Sequence, residues 1–229
     1  IDALWAVLHH QKSLPFPEGL ANTRSAGTQV VVGNEPVVFR VATKLTSSLQ
    51  VDRAINVGLP GGNNYTFDAA TARLRGTWKG GFINATPAWN GRGGKPVNVV
   101  TEALFVPVNH FPLRIGSPTA EPKVRFLGYF LEDKHPVFRY EVDGVEVRER
   151  IEVTDKEVIR GFSVADSSKA VFFVDDEDRK YASPTGALEK GILRLPAGKN
   201  LAFELRRPLP QGKTTVKASL PWVAASGKQ

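Results

Sequence analysis

Pro136–Val153 reads PVFRYEVDGVEVRERIEV. Phe138, Tyr140 and Val142 fall on one side of an extended chain, opposite Val137, Arg139 and Glu141. The alternation resumes after Asp143-Gly144, with Val145, Val147, Ile151 and Val153 on one side and Glu146, Arg148, Arg150 and Glu152 on the other. A period of two is that of a strand with one buried and one wet face. Asp-Gly between two such runs predicts a two-residue hairpin turn, because a type I′ turn holds both central residues at positive φ. Glu149 alone breaks the apolar side.

The pattern continues outward. Glu157–Val164 extends the meander, and Val124 begins it. Upstream, Arg53–Pro96 reads RAINVGLPGGNNYTFDAATARLRGTWKGGFINATPAWNGRGGKP. Its aromatics, Phe67, Trp78, Phe82 and Trp89, supply buried area, and its glycine pairs predict sharp turns between short strands. Strands are expected at Val51–Gly58, Asn63–Asp68 and Ala72–Lys79. Thr28–Gly33 and Pro36–Ala42 predict a hairpin around Gly33-Asn34. Further extended runs lie at Val97–Val108, Pro112–Ile115, 170–174, Leu193–Pro196, Asn200–Leu205 and Thr214–Leu220. Near the start, Ile1, Leu4, Trp5 and Leu8 recur at helical spacing, and prolines and glycines make 13–27 an extended arm. The expected organisation is a short helix and linker arm over 1–27, an all-β antiparallel sandwich or supersandwich over 28–223, and a flexible tail over 224–229.

The composition suits a soluble globular chain: 229 residues, 41% hydrophobic and 23% charged. The net charge of +7 favours anionic partners, but the basic residues alternate with Glu rather than cluster, so a wet sheet face is expected and nucleic acid is not. No cysteine is present, which removes disulfides, thiolate ligands and covalent haem attachment. No apolar run has the length of a membrane-spanning helix. Without Met at position 1, a processed form or a piece of a longer product is expected.

Few residues point to chemistry. Gly58–Gly62 leads into another strand rather than a helix, so it reads as a turn and not a phosphate cradle. Asp175–Asp178 lacks the spacing of a calcium loop, and His110 and His135 lack a carboxylate at an interpretable spacing. No catalytic residue and no metal site is assigned. The candidate ligand site is Asn64, Tyr65, Trp78, Trp89 and Arg92, whose rings would stack on sugar faces and whose polar groups would bond hydroxyls. Strand aromatics also fill sandwich cores, and the same rings fit that role. Leu4, Trp5 and Leu8 are the candidate docking residues for a partner.

Order and spacing across Arg53–Pro96, Phe111–Gly116 (FPLRIG), Glu121–Tyr129 (EPKVRFLGY) and Phe138–Ile151 (FRYEVDGVEVRERI) carry a resemblance. These blocks resemble a β-rich accessory domain of secreted bacterial multidomain c-type cytochrome proteins. Ala72 stands where that family has Cys before Arg-Leu, and Asn84 where it has Asp. The resemblance implies a periplasmic or extracellular, non-catalytic accessory subunit that scaffolds or docks onto a c-type cytochrome or other redox enzyme subunit. With no CxxCH, the chain is expected to hold no cofactor of its own. Two further expectations stand beside it: a carbohydrate-binding or mutarotase-like sugar module, and a structural subunit of a filament or tubule that self-associates through the N-terminal arm.

Overall fold

A computed structural model of the chain describes residues 29–89, 94–101, 103–107, 110–175 and 181–209. The protein is all-β, built of several antiparallel sheets. The back sheet comes from the alternating stretch. Its five strands are β12 (Val124–Glu132), β13 (His135–Val142), β14 (Val145–Val153), β15 (Glu157–Val164) and β18 (Leu201–Pro208), in that order. Asp143 and Gly144 have φ of 50° and 84°, so the expected I′-type turn forms between β13 and β14.

The middle sheet is β10 (Ala103–Phe105), β7 (Arg73–Lys79), β6 (Asn63–Asp68), β5 (Ala54–Gly58) and β2 (Val37–Arg40). Both of its faces are covered. Tyr65, Phe67 and Leu74 pack toward the back sheet in one core, while Ala54 and Trp78 enter a second core with Phe82, Ile83 and Val97. Double burial explains why β5 and β6 read as nearly continuous buried runs rather than as alternation. The second core is closed by the front sheet: β1 (Gln29–Val30), β8 (Ile83–Asn84), β9 (Val97–Val99), β3 (Thr43–Lys44) and β4 (Gln50–Val51). Its β3–β9 pairing is parallel, and the other pairings of the sheet are antiparallel. A side sheet of β11 (Leu113–Ile115), β16 (Val171–Val174) and β17 (Ile192–Leu195) lies against the same back-sheet core.

One expectation needs correction. The hairpin around Gly33-Asn34 does not form: β1 pairs with β8 in the front sheet, while β2 pairs with β5 in the middle sheet. The segment between them contains Pro36, which has no N–H for a ladder, and the chain uses it to change sheets. Further along, β17 joins the side sheet and β18 the back sheet. The expected helix in 1–12, the arm, the strand at Thr214–Leu220 and the tail lie outside the described residues.

The middle and back sheets meet through rings. Phe67 lies parallel to Phe138, with centroids 3.8 Å apart and 5° between planes. Phe126 and Tyr140 flank Phe67, and Tyr65 meets Phe138 edge-on. Truncating the central ring, Phe67→Ala, is expected to cost about 3–5 kcal/mol through lost burial and an unfilled cavity. Urea unfolding measures it; a cost below about 1 kcal/mol would mean that this stack does not hold the sheets together.

Candidate functional site

Most of the residues expected to bind a ligand are structural. Asn64 is buried, and its Nδ2 donates to the Gly62 carbonyl at 2.9 Å and the Gly80 carbonyl at 3.3 Å. It ties together two glycine turns that lie close: a Cβ on Gly62, at φ 78°, would sit 2.8 Å from the Gly80 oxygen. Tyr65 is fully enclosed between sheets, and burial raises its phenol pKa, so it stays a neutral ring. Trp78 is enclosed too, stacked on Phe82, with Nε1 donating to the Gly81 carbonyl at 3.0 Å. These three residues therefore offer no stacking platform. Trp89 differs: it ends the single helical turn Thr86–Trp89, is 54% exposed, and meets Phe39 edge-on at 5.9 Å. Arg92, Leu4, Trp5 and Leu8 lie outside the described residues.

The charge on the apolar side of β14 has an answer. Glu149 is fully buried, and Arg160 on the neighbouring strand β15 donates from Nε to its Oε1 at 2.7 Å. The Tyr140 hydroxyl donates to Oε2 at 2.8 Å, so both carboxylate oxygens are engaged. Burial disfavours the charge on Arg160, but the Glu149 carboxylate outweighs it and raises the pKa. Tyr140 is also raised, by burial first and then by Glu149, and remains a donor. The guanidinium lies over the rings of Phe162 at 5.1 Å and Phe173 at 5.7 Å, joining the back and side sheets. A narrow crevice of about 10 Å³ reaches this region past Arg73, His110, Asp175 and Tyr181. His110 Nε2 pairs with the Val174 carbonyl at 3.1 Å. Among the described residues no group of three or more His, Asp or Glu is placed to hold a metal ion. The pair was half legible: Arg160, like Glu149, is a charge at an inward position of its strand, and the two lie on adjacent strands.

The surface is less even than the interior. One open margin of the sandwich is covered: the Arg207 guanidinium lies 4.1 Å from the Phe105 ring centre of β10, and Ala182 bridges to Arg206 on β18. The other margin is a groove between β2 and β12. Arg40, Ile55, Phe126, Tyr129 and Leu131 line it, continuing past Asp52 and Arg53. Leu131 is 56% exposed. The β12–β13 hairpin tip is pinned over the start of this groove by the Lys134–Glu35 ion pair. Sequence reading missed this margin, since nothing in β12 distinguishes an edge strand from a central one.

Among known proteins, a family model described as "Domain of unknown function (DUF6797)" matches residues 65–149, from β6 into β14. No curated protein and no solved structure matches the chain. Among the described residues no helix is long and apolar enough to cross a membrane.

Glu149→Leu alone is expected to destabilise by about 3–5 kcal/mol, because Arg160 keeps a buried charge without its counter-ion. Adding Arg160→Leu is expected to recover most of that loss. Urea unfolding of both single variants and the double closes the cycle; strict additivity would show that the pair is not coupled.

Proposed function

We propose that this chain is a non-catalytic extracytoplasmic accessory module that docks a c-type cytochrome or other redox subunit along the groove between β2 and β12. The reading is carried by the asymmetry of the two margins, one covered and one open among the described residues. Among the described residues β12 is a nine-residue edge strand, with no strand paired on its outer side. Natural proteins blunt such edges or use them to receive a strand from a partner. Leu131 and Tyr129 offer apolar contact, and Arg40 and Arg53 stand exposed beside them. With a net charge of +7, that rim favours a partner with an acidic face. The haem then belongs to the partner, in line with the resemblance of Arg53–Pro96 and Phe138–Ile151 to domains that accompany cytochromes.

Native mass spectrometry of the complex isolated from its source, with haem absorbance read on the same fractions, tests this. Co-migration with a haem subunit is expected, and a haem-free monomer would overturn the reading. In the reconstituted complex, Leu131→Lys is expected to weaken association by about tenfold. Arg40→Glu is expected to slow association and reduce its salt dependence.

A further inference from the structure

The outer face of the back sheet has a hollow that the fold does not require. Strand register sets Phe130, Val137, Arg150, Gly161 and Glu204 in one row across all five strands. The next row runs through Arg139 and Arg148 to Ser163 and Ala202. Long charged side chains cover much of this face, but Gly161, Ser163 and Ala202 leave its floor bare. The result is an open trough of about 560 Å³, within the range of small-ligand sites. Glycine in a strand interior weakens the strand and often marks close approach of a ligand. At Gly161 neither backbone nor packing demands it: its φ lies outside the left-handed region, and an added Cβ meets nothing within 4 Å.

The walls say what fits. Arg148 and Arg150 stand among Glu132 and Glu204, with Phe130 at one end, 40% exposed. These groups are held in place by neighbours: Arg150 by Glu132 at 3.4 Å and Glu152 at 3.1 Å, Arg148 by Glu146 at 3.3 Å, and Glu204 by Arg206 at 2.6 Å. Arg148 is engaged there through Nε, and a guanidinium has five N–H donors to offer. Two cations and two carboxylates give donors and acceptors in balance. An anion would face both glutamates, and a cation both arginines. A neutral polyhydroxylated ligand satisfies both kinds, since each hydroxyl donates and accepts, and the apolar face of a pyranose packs on an exposed ring. We propose that this trough binds a neutral saccharide. The site shares only Phe130 with the rim of the β2–β12 groove and does not include Trp89.

The test is a glycan array probed with the full chain, carrying neutral gluco-, manno-, xylo- and galacto-oligosaccharides beside uronate and sulfated ones. The strongest neutral binder is then titrated by calorimetry. Binding to neutral glycans is expected. Gly161→Val fills the floor with a good strand former, so affinity is expected to fall about tenfold or more while the melting temperature holds or rises. Phe130→Ala, at an exposed edge position, is expected to weaken binding too. The proposal is overturned if no neutral glycan binds, if only acidic glycans bind, if Gly161→Val and Phe130→Ala bind as tightly as the parent chain, or if Trp89→Ala is the change that abolishes binding.

Discussion

Face-to-face contact of Phe67 with Phe138 is the constraint on which the other layers depend. One ring stands on the middle sheet and the other on the back sheet, so their overlap sets how the two sheets slide and rotate against each other. Once that is set, Phe126, Tyr129 and Tyr140 have defined places around the pair, and the inward side of β14 must run beneath the side sheet. There Glu149 and Arg160 meet, with Arg160 spread over Phe162 and Phe173. A charge so deep survives because both carboxylate oxygens are satisfied and the cation has ring faces to lie on. The family match at 65–149 begins beside Phe67 and ends at Glu149, so the recognisable stretch spans the centre of the sandwich.

Covering the middle sheet on both faces has a consequence for recognition. Its aromatics are spent on two cores, so contact with other molecules falls to the margins and to the outer face of the back sheet. That outer face is not a simple array of ion pairs. Register sets Arg139 directly opposite Arg148 and Glu141 directly opposite Glu146, like against like. The attraction is diagonal, Arg139 to Glu146 at 3.2 Å, with Arg125 reaching Glu141 from β12 at 2.8 Å. Exposed pairs of this kind contribute little to stability, about 0–1 kcal/mol each. Their effect here is to hold long side chains in order around a floor without any.

The legible part of the fold was the part with one wet face. Alternation through Val124–Val164 and the Asp143-Gly144 turn carried the meander residue by residue, because burial there follows the strand period. The front sheet was not legible. Its strands run for two or three residues, and pairings such as Gln29 with Asn84 join parts of the chain that share no local signal. For the candidate site, sequence shows residue types but not their exposure. Trp78 and Trp89 look alike as letters, yet one fills a core and the other meets solvent, and only the position of the second core decides between them. Gly161 was passed over for the opposite reason: between Arg160 and Phe162 its lack of a side chain matters only once Ser163 and Ala202 are known to lie nearby.

Phe130 and Leu131 are consecutive, and on a strand consecutive side chains point to opposite faces. Phe130 therefore faces the trough on the outer face while also touching the rim of the groove, and Leu131 faces the groove between sheets. A partner strand laid along β12 would sit beside both. It would cover Leu131 from one side and add a sixth strand next to Phe130, lengthening the trough wall. The groove and the trough would then share one strand. The bulge where Leu127 is the extra residue, between Phe126 and Gly128, bends β12 at one end while the Phe130–Leu131 end stays paired with Val137 and Pro136.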